Sequence, residues 1–246
     1  MYGWRGRIGL MLPYDNAVIE PEFSRTLPYG VSAHVVRTTK TDRLELAEES
    51  LALAPTMQHL RASIALYACN ASSFMKGRAW HDQFLGEFQA AAGVPAESAN
   101  SALMKLVAHR KVRRLAVVTP YPEWLLEPLS KFVTDSGFEV ANIVGLGLEP
   151  PDINALGPEH SYRFAKQANV ADADGIIIVA TNFRTLEVLT LLEQELRKPV
   201  MSSNQALMWI AGRMLGVPPT GASPADPRCE WPHVDEAPIQ NQATPV

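Results

Sequence analysis

Cys69 is the residue whose type and position best suit nucleophilic chemistry. It follows an apolar run in the segment SIALYACNASSFMKG, residues 63–77, and precedes Asn70, Ala71 and two serines. A turn after a strand offers free backbone N–H groups, and a helix that starts nearby lowers the pKa of a thiol and favours a bound carboxylate. A buried structural cysteine is the competing interpretation, since free cysteine is among the most buried residue types.

A second segment, GIIIVATNFRTLEVL at residues 175–189, has the same build without a thiol. Ala180, Thr181 and Asn182 follow its apolar run, and a helix is predicted to begin near Arg184. The threonine and the asparagine fit two roles, as donors to an anion or as caps of that helix. The two roles are compatible, because both use the same end of a helix.

Two further polar residues follow predicted strands. Asn16, in LPYDNAVIEPE, offers an amide donor to an anion or a cap for the next helix. Tyr121, in VVTPYPEW, offers a hydroxyl to a substrate oxygen, or it is a turn tyrosine packed beside its neighbouring prolines.

Strands and helices must alternate to position these residues. Several apolar runs are continuous, which is typical of parallel strands covered on both faces, and the alternation predicts an α/β fold with right-handed crossovers. The predicted strands are Arg7–Pro13, Val31–Thr38, Ile64–Ala68, Arg114–Thr119, Phe138–Val144, Gly175–Val179 and Pro199–Ser202. The predicted helices are Asp42–Ala62, Trp80–Ala92, Ser98–Lys111, Glu123–Ser136, Glu159–Gln167, Arg184–Leu196 and Asn204–Leu215.

An internal repeat indicates two related lobes. RIGLMLPY at residues 7–14 matches RLAVVTPY at residues 114–121, and each is followed later by an apolar strand with a polar tip. We therefore predict two pseudo-symmetric α/β lobes, each a mostly parallel sheet flanked by helices, with the active site in the cleft between them. Ligands bind at the carboxyl ends of parallel strands, so four segments are predicted to converge there. These segments are Pro13–Asn16, Cys69–Ser73, Thr119–Tyr121 and Ala180–Asn182.

The predicted domain boundaries follow from this repeat. Residues 1–96 with about 205–230 form the first lobe, and residues 97–204 form the second. Residues from about 231 to 246 form a Pro-rich tail that we expect to be partly disordered.

Composition excludes several classes of protein. The chain has 246 residues, 47% hydrophobic and 20% charged, which suits a globular protein. A net charge of -4 gives no basic footprint for nucleic acid. No apolar run approaches the ~20 residues of a membrane span, and the first residues resemble a strand more than a signal peptide, so a cytoplasmic protein is expected.

Cofactors and metals are not expected either. Cys69 and Cys229 lie far apart, so we predict no disulfide, and the scattered histidines do not have the spacing of a metal site. No glycine-rich loop has the spacing that binds a dinucleotide.

Four motifs, YACNASSF, VVTPY, ATNFRTLEVL and PVMSSNQALMW, together resemble the aspartate/glutamate racemase superfamily, in its branch of maleate cis-trans isomerases and arylmalonate decarboxylases. The resemblance extends to about Val217. It implies an active site between two lobes, no cofactor or metal, and two cysteines that face each other across the substrate. Cys69 matches the first cysteine, whereas the second motif, usually Cys-Thr-Asn, is Ala180-Thr181-Asn182 here.

Ala180 leaves two interpretations open. The chain is a Cys→Ala variant made to stall the reaction, which we favour, or the natural protein uses one cysteine. Enzymes similar to arylmalonate decarboxylase use a single cysteine, but theirs lies in the second lobe, where this chain has alanine. The chain therefore departs from their pattern.

The resemblance implies a small carboxylate or dicarboxylate substrate. Its carboxylates would be held by Asn16, Asn70, Ala71, Tyr121, Thr181 and Asn182. The activity implied is a maleate-type isomerisation with Cys69 as nucleophile. Two alternatives are a racemase or decarboxylase acting at the carbon next to a carboxylate, and a binding protein without catalysis. Trp124 and the two leucines after it fit a subunit interface or the core, so a homo-oligomer stays open.

Overall fold

Two parallel four-stranded sheets organise the chain in the computed structural model, which describes residues 2–150 and 152–217. The first sheet has the order β2-β1-β3-β4 and contains β1 (Gly6–Leu12), β2 (Val31–Arg37), β3 (Ile64–Tyr67) and β4 (Ala96–Ser98). The second has the order β6-β5-β7-β8 and contains β5 (Arg114–Thr119), β6 (Glu139–Gly145), β7 (Gly175–Ile178) and β8 (Val200–Ser202). The equal strand order confirms the predicted pair of pseudo-symmetric α/β lobes.

Helices connect the strands and cover the sheets, and every residue of the central strands β3 and β7 is buried as a result. Before β5 they are α1 (Ile19–Thr26), α2 (Arg43–Leu53), α3 (Thr56–His59), α4 (Ala71–Phe74), α5 (Arg78–Ala92) and α6 (Ala99–His109). After β5 they are α7 (Leu126–Asp135), α8 (Pro158–Ala168), α9 (Leu189–Leu196) and α10 (Ser203–Leu215), with short 3₁₀ turns at Glu123–Leu125 and Asp152–Ala155. No helix within residues 2–150 or 152–217 is long and apolar enough to cross a membrane.

The seven predicted strands are confirmed, and each end lies within one residue of the predicted end. Strand β4 was not predicted, because its three residues, Ala-Glu-Ser, contain no apolar run. Helix α1 was not predicted because Pro21 interrupts its pattern, although proline is tolerated in the first turn of a helix.

Two helix predictions were wrong at their boundaries. The helix predicted over Asp42–Ala62 divides after Leu53, where Pro55 lacks the N–H that would continue it. The helix predicted from Arg184 begins at Leu189 instead.

Tertiary hydrogen bonds explain the late start of α9. The Thr185 hydroxyl donates to Ser202 Oγ at 2.9 Å, and the Ser161 hydroxyl donates to the Arg184 carbonyl at 2.6 Å. These bonds hold the preceding segment outside the helix, so Thr181 and Asn182 do not cap α9.

Helices α6 and α10 join the two lobes. Each begins directly after an outer strand, where Ser98 or Ser202 accepts a hydrogen bond from a backbone N–H of the first turn. The two helices pack against each other, and α10 also contacts β3 and β4 of the first sheet. The domain boundaries given above remain a prediction, and Cys229 and the predicted tail lie outside the described residues.

Candidate active site

A cavity of about 200 Å³ lies between the lobes at the carboxyl ends of the central strands. All four segments predicted to converge contribute to its wall. The lining residues are Pro13, Tyr14, Asp15, Asn16, Thr41, Arg43, Leu46, Cys69, Ala71, Tyr121, Glu149, Pro150, Thr181 and Asn182. Six of the eight predicted site residues are therefore brought together, and two are not.

Cys69 and Ala180 occupy equivalent positions in the two lobes. The N–H of Ala68 donates to Met11 O at 2.9 Å, and in the other sheet the N–H of Val179 donates to Val118 O at 2.7 Å. Cys69 and Ala180 are the next residues in each case. Ala180 is buried and does not line the cavity, so this side of the wall is formed by Thr181 and Asn182.

Asn70 is the other predicted residue that does not line the cavity. Its amide donates to Asn100 Oδ1 at 2.6 Å, and the Asn100 amide donates back to the Asn70 carbonyl at 2.9 Å. This pair ties the turn after β3 to α6, so Asn70 holds Cys69 and Ala71 in place from behind.

The Cys69 thiol is nearly enclosed, with 8% of the residue exposed. Burial raises its pKa, and the charge of Asp15 acts in the same direction. Hydrogen bonds from the hydroxyl and the backbone N–H of Ser72, together with the charge of Arg43, lower the pKa but do not offset the burial. The expected lowering of the thiol pKa was therefore wrong, because the effect of burial is larger than that of the hydrogen bonds donated by the turn.

Asn16 both shapes the loop before α1 and bridges the lobes. Its Oδ1 accepts from the N–H groups of Val18 and Ile19 at 3.0 and 3.1 Å. Its Nδ2 donates to Thr181 Oγ1 at 3.0 Å, and that hydroxyl donates to the Ala68 carbonyl at 2.9 Å. An amide nitrogen carries two hydrogens, so one remains available to a ligand.

Tyr121 reaches from the second lobe towards the first. It is buried, and the backbone N–H of Ala71 forms a hydrogen bond to its hydroxyl oxygen. Burial raises the pKa of this phenol, so it stays protonated and can donate to a ligand. Its ring lies 6.1 Å from that of Phe74, which fixes its direction.

Three charged residues of the cavity wall were not predicted as site residues: Arg43, Glu149 and Asp15, of which only Asp15 lies within a predicted segment, Pro13–Asn16. Arg43 Nη2 lies 2.6 Å from Glu149 Oε2, and its guanidinium carbon lies 4.9 Å from the centre of the Trp124 ring. A signal for Arg43 was present, since Asp42 is a strong helix cap and the residue after it begins α2 close to the end of β2. Among the described residues, no group of three or more His, Cys, Asp or Glu side chains could hold a metal ion.

Known proteins are similar to this chain in sequence and in fold. A family model described as arylmalonate decarboxylase matches residues 12–226. Maleate isomerase from Geobacillus stearothermophilus is 23% identical over 219 residues, which are 80% of this chain and 86% of that protein.

Two solved structures have the same fold. One is the maleate isomerase from Pseudomonas putida S16 with a cysteine-to-alanine substitution and bound maleate, with a TM-score of 0.81 at 21% identity over 89% of this chain and 95% of that one. The other is a cysteine-to-serine mutant of Nocardia farcinica maleate cis-trans isomerase with a covalently bound succinylcysteine intermediate. Its TM-score is 0.82 at 20% identity, over 90% of this chain and 96% of that one.

Proposed function

Since the chain belongs to the arylmalonate decarboxylase family, as its motifs predicted, we propose that it is a cofactor-independent isomerase of a small cis-unsaturated carboxylate of the maleate type. The observation that carries the proposal is the position of Cys69. Its thiol lies at the tip of β3, in the wall of an interlobe cavity that also presents Tyr121 and amide donors. Relatives named maleate isomerase support this choice of reaction.

The donors around Cys69 suit a carboxylate that becomes more negative during a reaction. Asn16, Asn182 and Tyr121 all line the cavity, and each side chain carries a hydrogen-bond donor. Donors placed before the reaction starts stabilise developing charge without reorganising, and this is usually the largest single contribution to catalysis.

Isomerisation then needs only addition, rotation and elimination. The Cys69 thiol first loses its proton to water, and the two Ser72 donors and the Arg43 charge stabilise the thiolate. The sulfur forms a bond to one alkene carbon, and the π electrons move onto the neighbouring carbon and its carboxylate as an enediolate. The former double bond rotates, the electron pair re-forms it, and the S–C bond breaks. The thiolate is regenerated, and the reaction involves no net oxidation or proton uptake.

Ala180 removes any thiol that would exchange protons from the second lobe. We propose that the protein with Ala180 turns over slowly and that protonation of the enediolate leaves a stable adduct on Cys69. The Nocardia farcinica cysteine-to-serine mutant with its succinylcysteine supports this expectation.

The test compares the Ala180 protein, Ala180→Cys and Cys69→Ser with maleate, using NMR for fumarate and intact mass for an adduct. We expect fumarate from Ala180→Cys, slow turnover or an adduct from the Ala180 protein, and neither from Cys69→Ser. If Ala180→Cys and the Ala180 protein both bind maleate and neither turns it over nor is labelled, the proposal is wrong. A cleft that only binds would give that result.

Reaction at the carbon next to a carboxylate is the second candidate, and the family's name favours it. Incubation with arylmalonates and with amino acids in deuterated water distinguishes it. Release of carbon dioxide would indicate a decarboxylase, and deuterium at the α-carbon without isomerisation would indicate a racemase.

A further inference from the structure

The charges in the cavity wall are not balanced. Asp15 and Glu149 are acidic, and among the described lining residues only Arg43 carries a cation. Arg43 pairs with Glu149, so these two charges offset one another. Asp15 is left with its charge unpaired. No described residue donates a hydrogen bond to its Oδ2, and because that oxygen is shielded from solvent, a ligand in the cavity meets the rest of the Asp15 side chain, which lines the wall.

The guanidinium groups whose charge reaches Asp15 are engaged elsewhere. Arg37 donates to the Asn16 carbonyl at 2.8 Å and pairs with Glu20, and Arg43 is held by Glu149. Burial raises the pKa of Asp15, and the two arginines offset this only in part. A partly desolvated carboxylate of this kind is stabilised by any ligand group that donates a hydrogen bond to it.

We infer that the substrate carries one carboxylate and one amide, and that the amide nitrogen donates to Asp15. The preferred ligand is the half-amide of a cis-unsaturated dicarboxylic acid, not the dianion. This inference rests on the proposed function, because it assigns the substrate of the same cavity. A second carboxylate in the place of the amide would meet the Asp15 carboxylate, and two like charges at close range in a partly enclosed site repel each other.

The chemistry at Cys69 is compatible with this ligand. The remaining carboxylate is bound by the cavity donors, and the alkene carbon beside it receives the negative charge after the thiolate adds. The amide lies at the other end of the molecule, towards the loop after β1 that carries Asp15. Asp15 thus determines which substrate binds. The bonds that form and break are the same as those proposed for maleate.

The experiment measures binding of two probes, maleamate and maleate, by titration calorimetry at about pH 8, where an ordinary carboxylate is ionised. The proteins are the full chain, Asp15→Asn and Asp15→Ser. Asp172→Asn is the matched control, since Asp172 is exposed, pairs with Arg114 and does not line the cavity. Thermal unfolding of each variant shows whether it is folded. An effect that both Asp15 substitutions share does not come from a loop distortion caused by one of them.

The full chain and Asp172→Asn should bind maleamate more tightly than maleate. Both Asp15 variants should shift the ratio of the two dissociation constants towards maleate by about tenfold, the size expected for one hydrogen bond to a charged group. If the full chain prefers maleate and the ratio of the two dissociation constants is the same in the Asp15 variants, the inference is overturned. In that case, labelling of Cys69 by maleate would still support the proposed function. If neither probe binds and Cys69 is never labelled, both are wrong.

Discussion

Asn16 and Thr181 join the two lobes directly at the wall of the cavity, where Asn16 Nδ2 donates to Thr181 Oγ1 at 3.0 Å. The Thr181 hydroxyl in turn donates to the carbonyl of Ala68, the residue before Cys69. Three strand ends are therefore held in register by one threonine hydroxyl. The distance between the nucleophile and the donors of the other lobe depends on this contact.

Thr181→Val should destabilise the protein. The substitution keeps the shape of the side chain but leaves the buried Asn16 amide hydrogen and the Ala68 carbonyl without their partner. The expected loss is about 1–3 kcal/mol of unfolding free energy, measured by urea denaturation. Thr134→Val is the control, because that hydroxyl is exposed and bonds only within its own helix. Equal stability of the two variants would show that the bond across the cleft contributes nothing.

Glu22→Gln should change how stability depends on pH. Glu22 is 1% exposed, and burial raises the pKa of its carboxyl from the usual 4.5 to about 7. The folded state therefore binds a proton that the unfolded state has released between these two values. This stabilisation is complete below about pH 4.5 and is lost as the pH rises through 7, a change on the order of 3 kcal/mol.

Glu22→Gln should remove that part of the pH dependence, because a glutamine does not titrate and can still accept from the Asn204 amide that bonds to Glu22 at 2.6 Å. The measurement is the unfolding free energy at about pH 5 and pH 8 for both proteins. Glu48→Gln, an exposed glutamate of α2, should leave the difference unchanged. A parallel pH profile for Glu22→Gln and the parent would contradict the raised pKa. His81 titrates in the opposite direction, since burial lowers its pKa, and comparing variants cancels its effect.

Alkylation of Cys69 should be slow at neutral pH and should accelerate with pH. Burial raises the pKa of the thiol, and only the thiolate reacts, so the rate should rise about tenfold per pH unit below that pKa. The Arg43 charge lowers the same pKa, so Arg43→Gln should react more slowly at every pH in this range. Intact mass after iodoacetamide treatment reports the rate in a Cys229→Ser background, which leaves one cysteine. A rate that is flat between about pH 7 and pH 9 would indicate a thiol already ionised.

Tyr121→Phe should reduce turnover, and the loss of the partner of the Ala71 N–H should also lower the unfolding free energy by about 1–3 kcal/mol. The ring keeps its contact with Phe74, while the hydroxyl that donates into the cavity is lost. In the Ala180→Cys background, we expect kcat for maleate to fall by about 10²–10³, the effect of removing one donor to developing negative charge. Tyr14→Phe is a useful comparison, because Tyr14 holds the equivalent place in the first lobe and is 42% exposed. If Tyr121→Phe changes KM alone, the hydroxyl binds the substrate without stabilising the enediolate.

Much of the framework was predictable from local sequence. The continuous apolar runs marked the strands, because strands buried on both faces need apolar side chains throughout. The match of RIGLMLPY with RLAVVTPY predicted two lobes with the same strand order, and this order places the four polar strand tips at one cleft. Strand ends alone therefore predict that Cys69, Tyr121 and Asn16 are neighbours.

The assignments that failed depended on residues far apart in the chain. The start of α9 was displaced by bonds from Ser161 and Ser202, which no local propensity reports. Asn70 and Cys69 are adjacent, yet one is held by Asn100 and the other lines the cavity, because the turn between them directs their side chains differently.

The sequence by itself determined the two lobes, the cleft and the single thiol at its edge, because the period and position of apolar residues set the strands and their ends. Only the tertiary structure decided the electrostatics of the site. Arg43 and Glu149 are separated by 106 residues, and their pairing leaves Asp15 as the unbalanced charge beside Cys69. Desolvation and charge pairing depend on which groups are close in space. The sequence pattern does not give the distances between groups that are far apart in the chain.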